Sequence, residues 1–351
     1  MSDDAFGGVD SGLVGNVPPP PADAPSPTQE LAVARAANGV EIRGRGARVG
    51  EQRFGQDFGV DPNADALATS QPIKGAKEAR RLYGLDWRVS KVPSQYVWNG
   101  RVMTDPETFT IVREDNGRAV GSVGKRFHVI QNEELDIIDA ISGEAPIVRG
   151  GVWDGGRRVW LQTQVDTFET PTGPAEGNML VGMGHGGEMG FTLTAFGSVV
   201  SCRNTFRRNL AGAPNCMVIR HTASSAKKLE QLRVGLQMSR EHHKAMQEWF
   251  FRLGRKGISD LVLTAFVDAL FPKNENEKRP TRRNNRVEAF MDAYKNAPGA
   301  QPGTAWGLAQ AVTYYEEHVK QLRAGTDRFE RAFDNQVTQV AFDLLDELLE
   351  S

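Results

Sequence analysis

Cysteine is scarce in this sequence, which contains only Cys202 and Cys216, fourteen positions apart and without a Cys-x-x-Cys spacing. This excludes the common thiolate zinc patterns and predicts a reducing compartment. Histidine is also scarce, with six in 351 residues. The adjacent His242 and His243 would point about 100° apart on a helix, so they cannot hold one ion together. We therefore expect no metal site.

Long apolar runs are absent as well. No stretch approaches the roughly 20 residues that a membrane span needs. The first four residues, Met-Ser-Asp-Asp, are acidic and are followed by glycine and proline, unlike the basic start of a signal peptide. These features predict a cytoplasmic protein that does not contact a membrane.

The net charge is close to zero, with 42 basic and 44 acidic residues, so overall charge indicates no partner. The distribution is uneven. Residues 201–260 hold twelve Lys/Arg against four Asp/Glu, and residues 327–351 hold two against seven. A basic middle and an acidic tail suit an anionic ligand. The alternative is that these charges are solvated helix faces.

The chain divides by composition into five parts. The proline- and glycine-rich residues 1–30 cannot bury enough apolar surface to repay ordering and predict a disordered N-terminal arm. Residues 31–84 form a transitional segment with a short helix over 73–83. An α+β core domain over 85–271, a polar linker over 272–285 and a helical region over 286–351 follow.

Short strands and turn signals begin at Leu85. Asn99-Gly100 predicts a two-residue hairpin turn, and Asn116-Gly117 predicts a second hairpin. Further strands are predicted over 147–153, 159–165, 179–183, 191–196 and 216–221, and a helix over 132–141 with Asn132 as its N-cap. The fold class is α+β: an antiparallel β-sheet core with a long packed helix, followed by a helical C-terminal half.

The long helix of about thirty residues is predicted after His221 from apolar residues at alternating three- and four-residue steps. His243 falls on its apolar seam and is interpreted as a core histidine, whose replacement by leucine would be neutral or mildly stabilising. Three further helices are predicted over 286–296, 304–322 and 327–349. Thr304 is the expected N-cap of the second, and Trp306 its core anchor.

The segment over residues 199–210 carries the strongest indication of a ligand. Arg203, Asn204, Phe206, Arg207 and Arg208 place fixed positive charges and an amide beside one ring. This combination suits phosphates and stacked bases better than a small apolar ligand. The alternative is that these arginines pair with buried carboxylates and brace the sheet against the helical half.

A second basic and aromatic stretch is Lys125-Arg126-Phe127, which follows a glycine. Interleaved charge and aromatic rings are typical of surfaces that bind single strands. An edge strand protected by charge is the alternative. Arg220 and His221 add a phosphate-contacting or catalytic candidate, for which capping of the following helix is the structural alternative.

Residues 182–187 contain a Gly-x-Gly-x-x-Gly pattern after an apolar strand. The following residues predict another strand, so no helix N-terminus would face a pyrophosphate. The pattern therefore predicts a glycine-rich hairpin tip rather than a dinucleotide site. We expect His185 to be exposed there.

Three of these regions resemble the phage/plasmid-like protein family, whose shared domain is a domain of unknown function. They are residues 199–210, 123–132 and the stretch formed by 303–307, 311–315 and His318. The resemblance runs from Leu85 to the C-terminus and implies a mobile genetic element as the setting. A weaker similarity, in strand and helix order, links such proteins to phage single-strand-annealing recombinases, which form oligomeric rings on single-stranded DNA.

The first functional hypothesis is therefore a homo-oligomeric protein that binds single-stranded DNA and anneals complementary strands. No cofactor is required, because annealing needs only charge neutralisation and exposed bases. The chain shows no catalytic signature, but a nucleotide or small-molecule enzyme using His221 remains a second hypothesis. A host-interaction factor with charged binding rims is a third.

Overall fold

The computed structural model describes residues 73–143, 145–201, 204–208, 210, 213–273, 281–320 and 336–350. Over these ranges the chain is α+β, with two antiparallel sheets followed by a helical half. The predicted fold class is confirmed. The predicted N-terminal arm and most of the transitional segment lie outside the described residues.

The first sheet has three strands in the order β1 (Val89–Trp98), β2 (Arg101–Arg113) and β3 (Ala119–Gly124). Both predicted hairpins are confirmed. Asn99 and Gly100 have φ of 47° and 72°, as required for the turn that matches the twist of a two-residue hairpin.

The second sheet has the order β4-β5-β6-β7-β8, and β9 also pairs with β7. Adjacent antiparallel strands β5, β6 and β7 form its centre, and they extend well beyond the predicted strand ends. The strands are β4 Ile147–Trp153, β5 Arg158–Thr170, β6 Gly173–Gly184, β7 Phe191–Val199, β8 Thr205–Phe206 and β9 Cys216–Ile219.

Eight α-helices accompany the sheets in the described residues. They are α1 Ala76–Leu82, α2 Ile137–Ser142, α3 Ser225–Leu229, α4 Gly235–Arg255, α5 Asp260–Leu270, α6 Thr281–Asn296, α7 Ala305–Tyr314 and α8 Gln336–Glu350. A π-helical turn, Tyr315–Val319, continues α7. Thr304 caps α7 as predicted, accepting a hydrogen bond from Gly307 N. Helix α6 begins inside the predicted linker, of which residues 274–280 lie outside the described part.

Two helix predictions need correction. The long helix is not continuous: a 3₁₀ turn over Glu230–Val234 separates α3 from α4. Asn132 begins a 3₁₀ turn and forms no cap hydrogen bond. Its amide instead donates to the carbonyls of Leu85 and Trp87, each at 3.0 Å. Tertiary partners, rather than the helix end, therefore hold this side chain.

Helix α4 packs against β5, β6 and β7, as the predicted apolar seam requires. His243 on this seam is buried, and its Nδ1 lies 2.8 Å from Oδ1 of Asp166 on β5. Its Nε2 lies 3.2 Å from the carbonyl of Asn178 on β6. His243 is a core residue as predicted, but both ring nitrogens face polar partners.

Replacing His243 by leucine should therefore destabilise the fold by about 1–3 kcal/mol, because Asp166 and the Asn178 carbonyl would lose a buried partner. Chemical denaturation of the H243L variant measures the change. The expectation of neutrality, made from the sequence alone, took no account of Asp166. An unchanged free energy of unfolding would support the expectation from the sequence and contradict a stabilising role for His243.

Candidate nucleic-acid interface

The predicted residues of the first sheet and of β9 come together. Lys125 and Arg126 form the turn after β3, and Arg220 and His221 follow the end of β9. The backbone N–H of His128 donates to the His221 carbonyl at 3.3 Å, which joins two segments over ninety positions apart. We call Lys125, Arg126, Phe127, Arg220 and His221 the basic turn cluster.

A ring stack lies at the centre of this cluster. The Phe127 and His221 rings are 4.5 Å apart and inclined by 19°. His221 Nδ1 lies 3.1 Å from the carbonyl of His128, and Nε2 lies 3.1 Å from that of Met189. Burial lowers the pKa of His221, and the two carbonyls oppose that shift. The imidazole, at the end of β9, thus contacts both the chain after the basic turn and the chain after the glycine-rich tip.

The three cations of the cluster are exposed. Lys125 Nζ lies 3.6 Å from the Glu107 carboxylate, with both side chains in solvent, so this pair is weak. Within the described ranges, Arg126 and Arg220 make no ion pair. The cluster can therefore accept an anionic chain without breaking a buried contact.

Lys91 stabilises the turn through hydrogen bonds to its backbone, a role that the sequence did not reveal. Its Nζ donates to the carbonyls of Lys125 at 2.7 Å and Phe127 at 3.0 Å. It also lies 4.5 Å from the centre of the Phe109 ring. One lysine thus holds the two backbone carbonyls in place, while the three cations of the cluster remain exposed.

The second predicted group is used inside the fold at Asn204, Phe206 and Arg208. Asn204 is completely buried, and its amide donates to the Gln310 side chain at 2.7 Å and to the Gln310 carbonyl at 3.1 Å. The expected contact of Asn204 with a phosphate does not fit this position. Arg203 lies outside the described residues.

Phe206 is also completely buried. Its ring lies 4.9 to 5.8 Å from the rings of Phe250, Trp306 and Phe342. No ring surface remains for a base, so the predicted stacking role does not fit the structure. Trp306 is the core anchor that the sequence predicted.

Arg208 pairs with Asp346 and, at 3.2 Å, with Asp343 on α8. Its guanidinium also lies 5.5 Å from the centre of the Trp249 ring. Arg207 is half-buried and lies beside the Cys216 thiol, whose pKa is raised by burial against the effect of this arginine. The bracing alternative stated for these arginines therefore describes Arg208.

Replacing Arg208 by alanine should destabilise the fold by about 1–3 kcal/mol, because two carboxylates and the indole of Trp249 lose their partner. Arg208→Lys should recover part of the loss by keeping one charge-assisted contact. Thermal and chemical unfolding measure the order of stability, which should be the parent chain, then Arg208→Lys, then Arg208→Ala. If R208A unfolds like the parent chain, Arg208 does not brace α8.

Glu317 joins the same segment to the π-helical turn. It is buried, and both oxygens of its carboxyl group accept from the backbone N–H of Thr205 at 3.1 Å. Burial raises its pKa to about 8, against the lowering effect of Thr205. The carboxyl therefore keeps its proton in the folded chain at pH values where an unfolded glutamate, with a pKa of about 4.3, has lost it.

The contribution of Glu317 to stability should thus be complete below about pH 4 and be lost as pH rises towards 8. Glu317→Gln should remove this decline, because the amide cannot ionise. Free energies of unfolding measured from pH 5 to 8 for both chains test whether the parent chain loses stability relative to Glu317→Gln as pH rises. Parallel curves would contradict the raised pKa.

The glycine-rich tip is a β6–β7 hairpin, as predicted, and no helix follows it. His185 is buried rather than exposed, which corrects the sequence expectation. Its Nε2 lies 2.9 Å from Asn132 Oδ1, and its ring lies 5.4 Å from that of Trp87. Burial lowers the pKa of His185 to about 4, so this imidazole is neutral near pH 7.

The described residues contain no group of three His, Cys, Asp or Glu side chains arranged to hold a metal ion. None of the described helices is both long and apolar enough to cross a bilayer.

A family model described as a domain of unknown function (DUF932) matches residues 119–336. The matched region starts at β3 and includes the whole basic turn cluster, but it leaves out β1 and β2. No curated protein and no solved structure matches the chain.

Proposed function

We propose that this chain, which belongs to the DUF932 family, binds single-stranded DNA at the basic turn cluster. The observation that carries the proposal is the Phe127–His221 stack, which brings together two chain segments whose neighbouring residues Lys125, Arg126 and Arg220 are exposed cations. Cations beside an aromatic ring neutralise phosphates and offer a face to a base. Phe127 is half-buried, so one part of its ring is held while another is accessible.

The resemblance to phage/plasmid-like proteins and to annealing recombinases supports a more specific proposal for the origin and activity of the protein. In this view the protein is encoded by a mobile element, acts in the cytoplasm and promotes annealing of complementary strands during recombination. A homo-oligomer would present repeated sites along one strand, which raises the affinity for a long ligand. No cofactor takes part in such a reaction.

No observation favours the enzyme alternative at His221. Its two ring nitrogens face the carbonyls of His128 and Met189, whereas a general base needs a nitrogen directed at a substrate or nucleophile. His221 is better described as a residue that positions the cluster.

Replacing Lys125, Arg126 and Arg220 together by alanine should weaken binding of single-stranded DNA. The plot of log affinity against log salt should become shallower by about two units, from roughly 0.7 per phosphate contact. Fluorescence anisotropy with labelled oligothymidine at several salt concentrations measures both quantities, with duplex DNA and RNA as comparison ligands.

The matched control replaces Arg240, Lys244 and Arg252, three exposed cations of α4, by alanine. The charge change is the same, so equal losses in both variants would mean that binding depends on net charge and not on this cluster. If the parent chain shows no salt-dependent binding of single strands, the proposed function is wrong.

A further inference from the structure

The hairpin of β1 and β2 extends beyond its sheet. Strand β3 pairs with β2 only from Thr108 to Val112, so residues 95–104 form a two-stranded projection that we call the aromatic hairpin. The ladder from the Pro93–Phe109 pair to Trp98 covers five residues on β1, or about 17 Å. This projection lies outside the region matched by the family model.

The aromatic hairpin is apolar on both faces and exposed to solvent. Directly paired residues share a face of the ladder. Trp98 pairs with Arg101 and Tyr96 with Met103, which gives one aromatic face; Val97 pairs with Val102 on the other. The exposed fractions are 66% for Trp98 and 52% for Tyr96.

Exposed apolar groups of this size mark a binding surface in a chain whose other aromatic residues, within the described ranges, are buried or half-buried. The side chains of Tyr96 and Trp98 expose more than half their surface, whereas Trp160, Trp306 and Phe206 expose almost none. Packing within the described residues does not account for the hairpin.

The position of the hairpin indicates the chemistry of its ligand. It begins where β3 ends, and Lys125 follows the last residue of β3, Gly124, which pairs with Thr108. The basic turn cluster therefore lies at the base of the hairpin, and Arg101 lies beside Trp98 at its tip. Positive charge is therefore present at the tip of the hairpin and, beyond Asp105 and Glu107, near its base, which fits a strand of phosphates whose bases stack on the rings.

We infer that the aromatic face, formed by Tyr96, Trp98, Arg101 and Met103, stacks on bases of a single-stranded nucleic acid whose phosphates reach the basic turn cluster. This inference rests on the proposed function. Stacking is open to any base, because each base has a π-face, so the hairpin would bind single strands with little sequence preference. A duplex hides its base faces and would gain no such contact.

Tyr96→Ala with Trp98→Ala should lower the affinity for oligothymidine roughly thirtyfold or more, because stacking on both rings is lost. The salt slope should stay the same, since no phosphate contact is removed. Tyr96→Phe with Trp98→Phe should keep most of the affinity, because both rings remain. Binding to duplex DNA should change little in either variant.

Val97→Thr with Val102→Thr is the matched control, because it keeps the β-branched shape and changes only the opposite face. It should leave single-strand affinity unchanged. Thermal unfolding shows whether each variant keeps its fold, and sedimentation velocity reports its oligomeric state.

The results separate the possible failures. If the cation variant loses affinity but the Tyr96/Trp98 alanine variant does not, the stacking inference is wrong and the proposed function stands. If the parent chain binds no single strand, the proposed function fails first. If changes on either face dissociate an oligomer and weaken binding only for that reason, the hairpin is a contact between copies of the chain, and the inference is overturned.

Discussion

The short strand β8 is the connection on which the rest of the structure depends. Its two residues pair with β7, while Asn204 binds Gln310 and the Thr205 N–H binds Glu317. Phe206 then fills the centre of the aromatic core of the helical half. A segment of three residues therefore links sheet hydrogen bonding to helix packing. The Asn204 amide N–H groups and the Thr205 backbone N–H already donate inside the fold, so these donors are not available to a ligand.

The same segment also joins the basic middle of the chain to its acidic tail. The basic middle and the acidic tail attract each other, since Arg208 binds Asp343 and Asp346 on α8. The charge of Arg208, which contributes to this apparent ligand signal, is therefore used inside the fold. The two groups of predicted site residues lie towards opposite ends of β7: β9 pairs from Phe191 and β8 reaches Gly197, about 20 Å along the strand. They cannot form one compact site.

Local patterns predicted the local structure well. Asn-Gly turns, the Thr304 cap and the apolar seam of α4 each follow from short-range rules, and all are present. The partners of polar residues were not predictable in this way. Asn132 has the composition of a cap, but it binds carbonyls more than forty positions away and also contacts His185. Such choices depend on which strands become neighbours, and a single sequence does not record that.

In the candidate site, too, the local pattern was predictable from the sequence and the tertiary contacts were not. A basic turn with an aromatic residue was visible in the sequence, whereas its approach to His221 needs the β6–β7 hairpin and β9 to meet. Lys91 escaped notice because its role is to bind two backbone carbonyls, which leave no trace in residue type. The cations that remain available to a ligand are those the fold does not use. In this chain, a high density of arginine does not by itself identify a binding surface. A candidate binding surface is distinguished by cations that are exposed, whereas a structural arginine such as Arg208 is paired inside the fold.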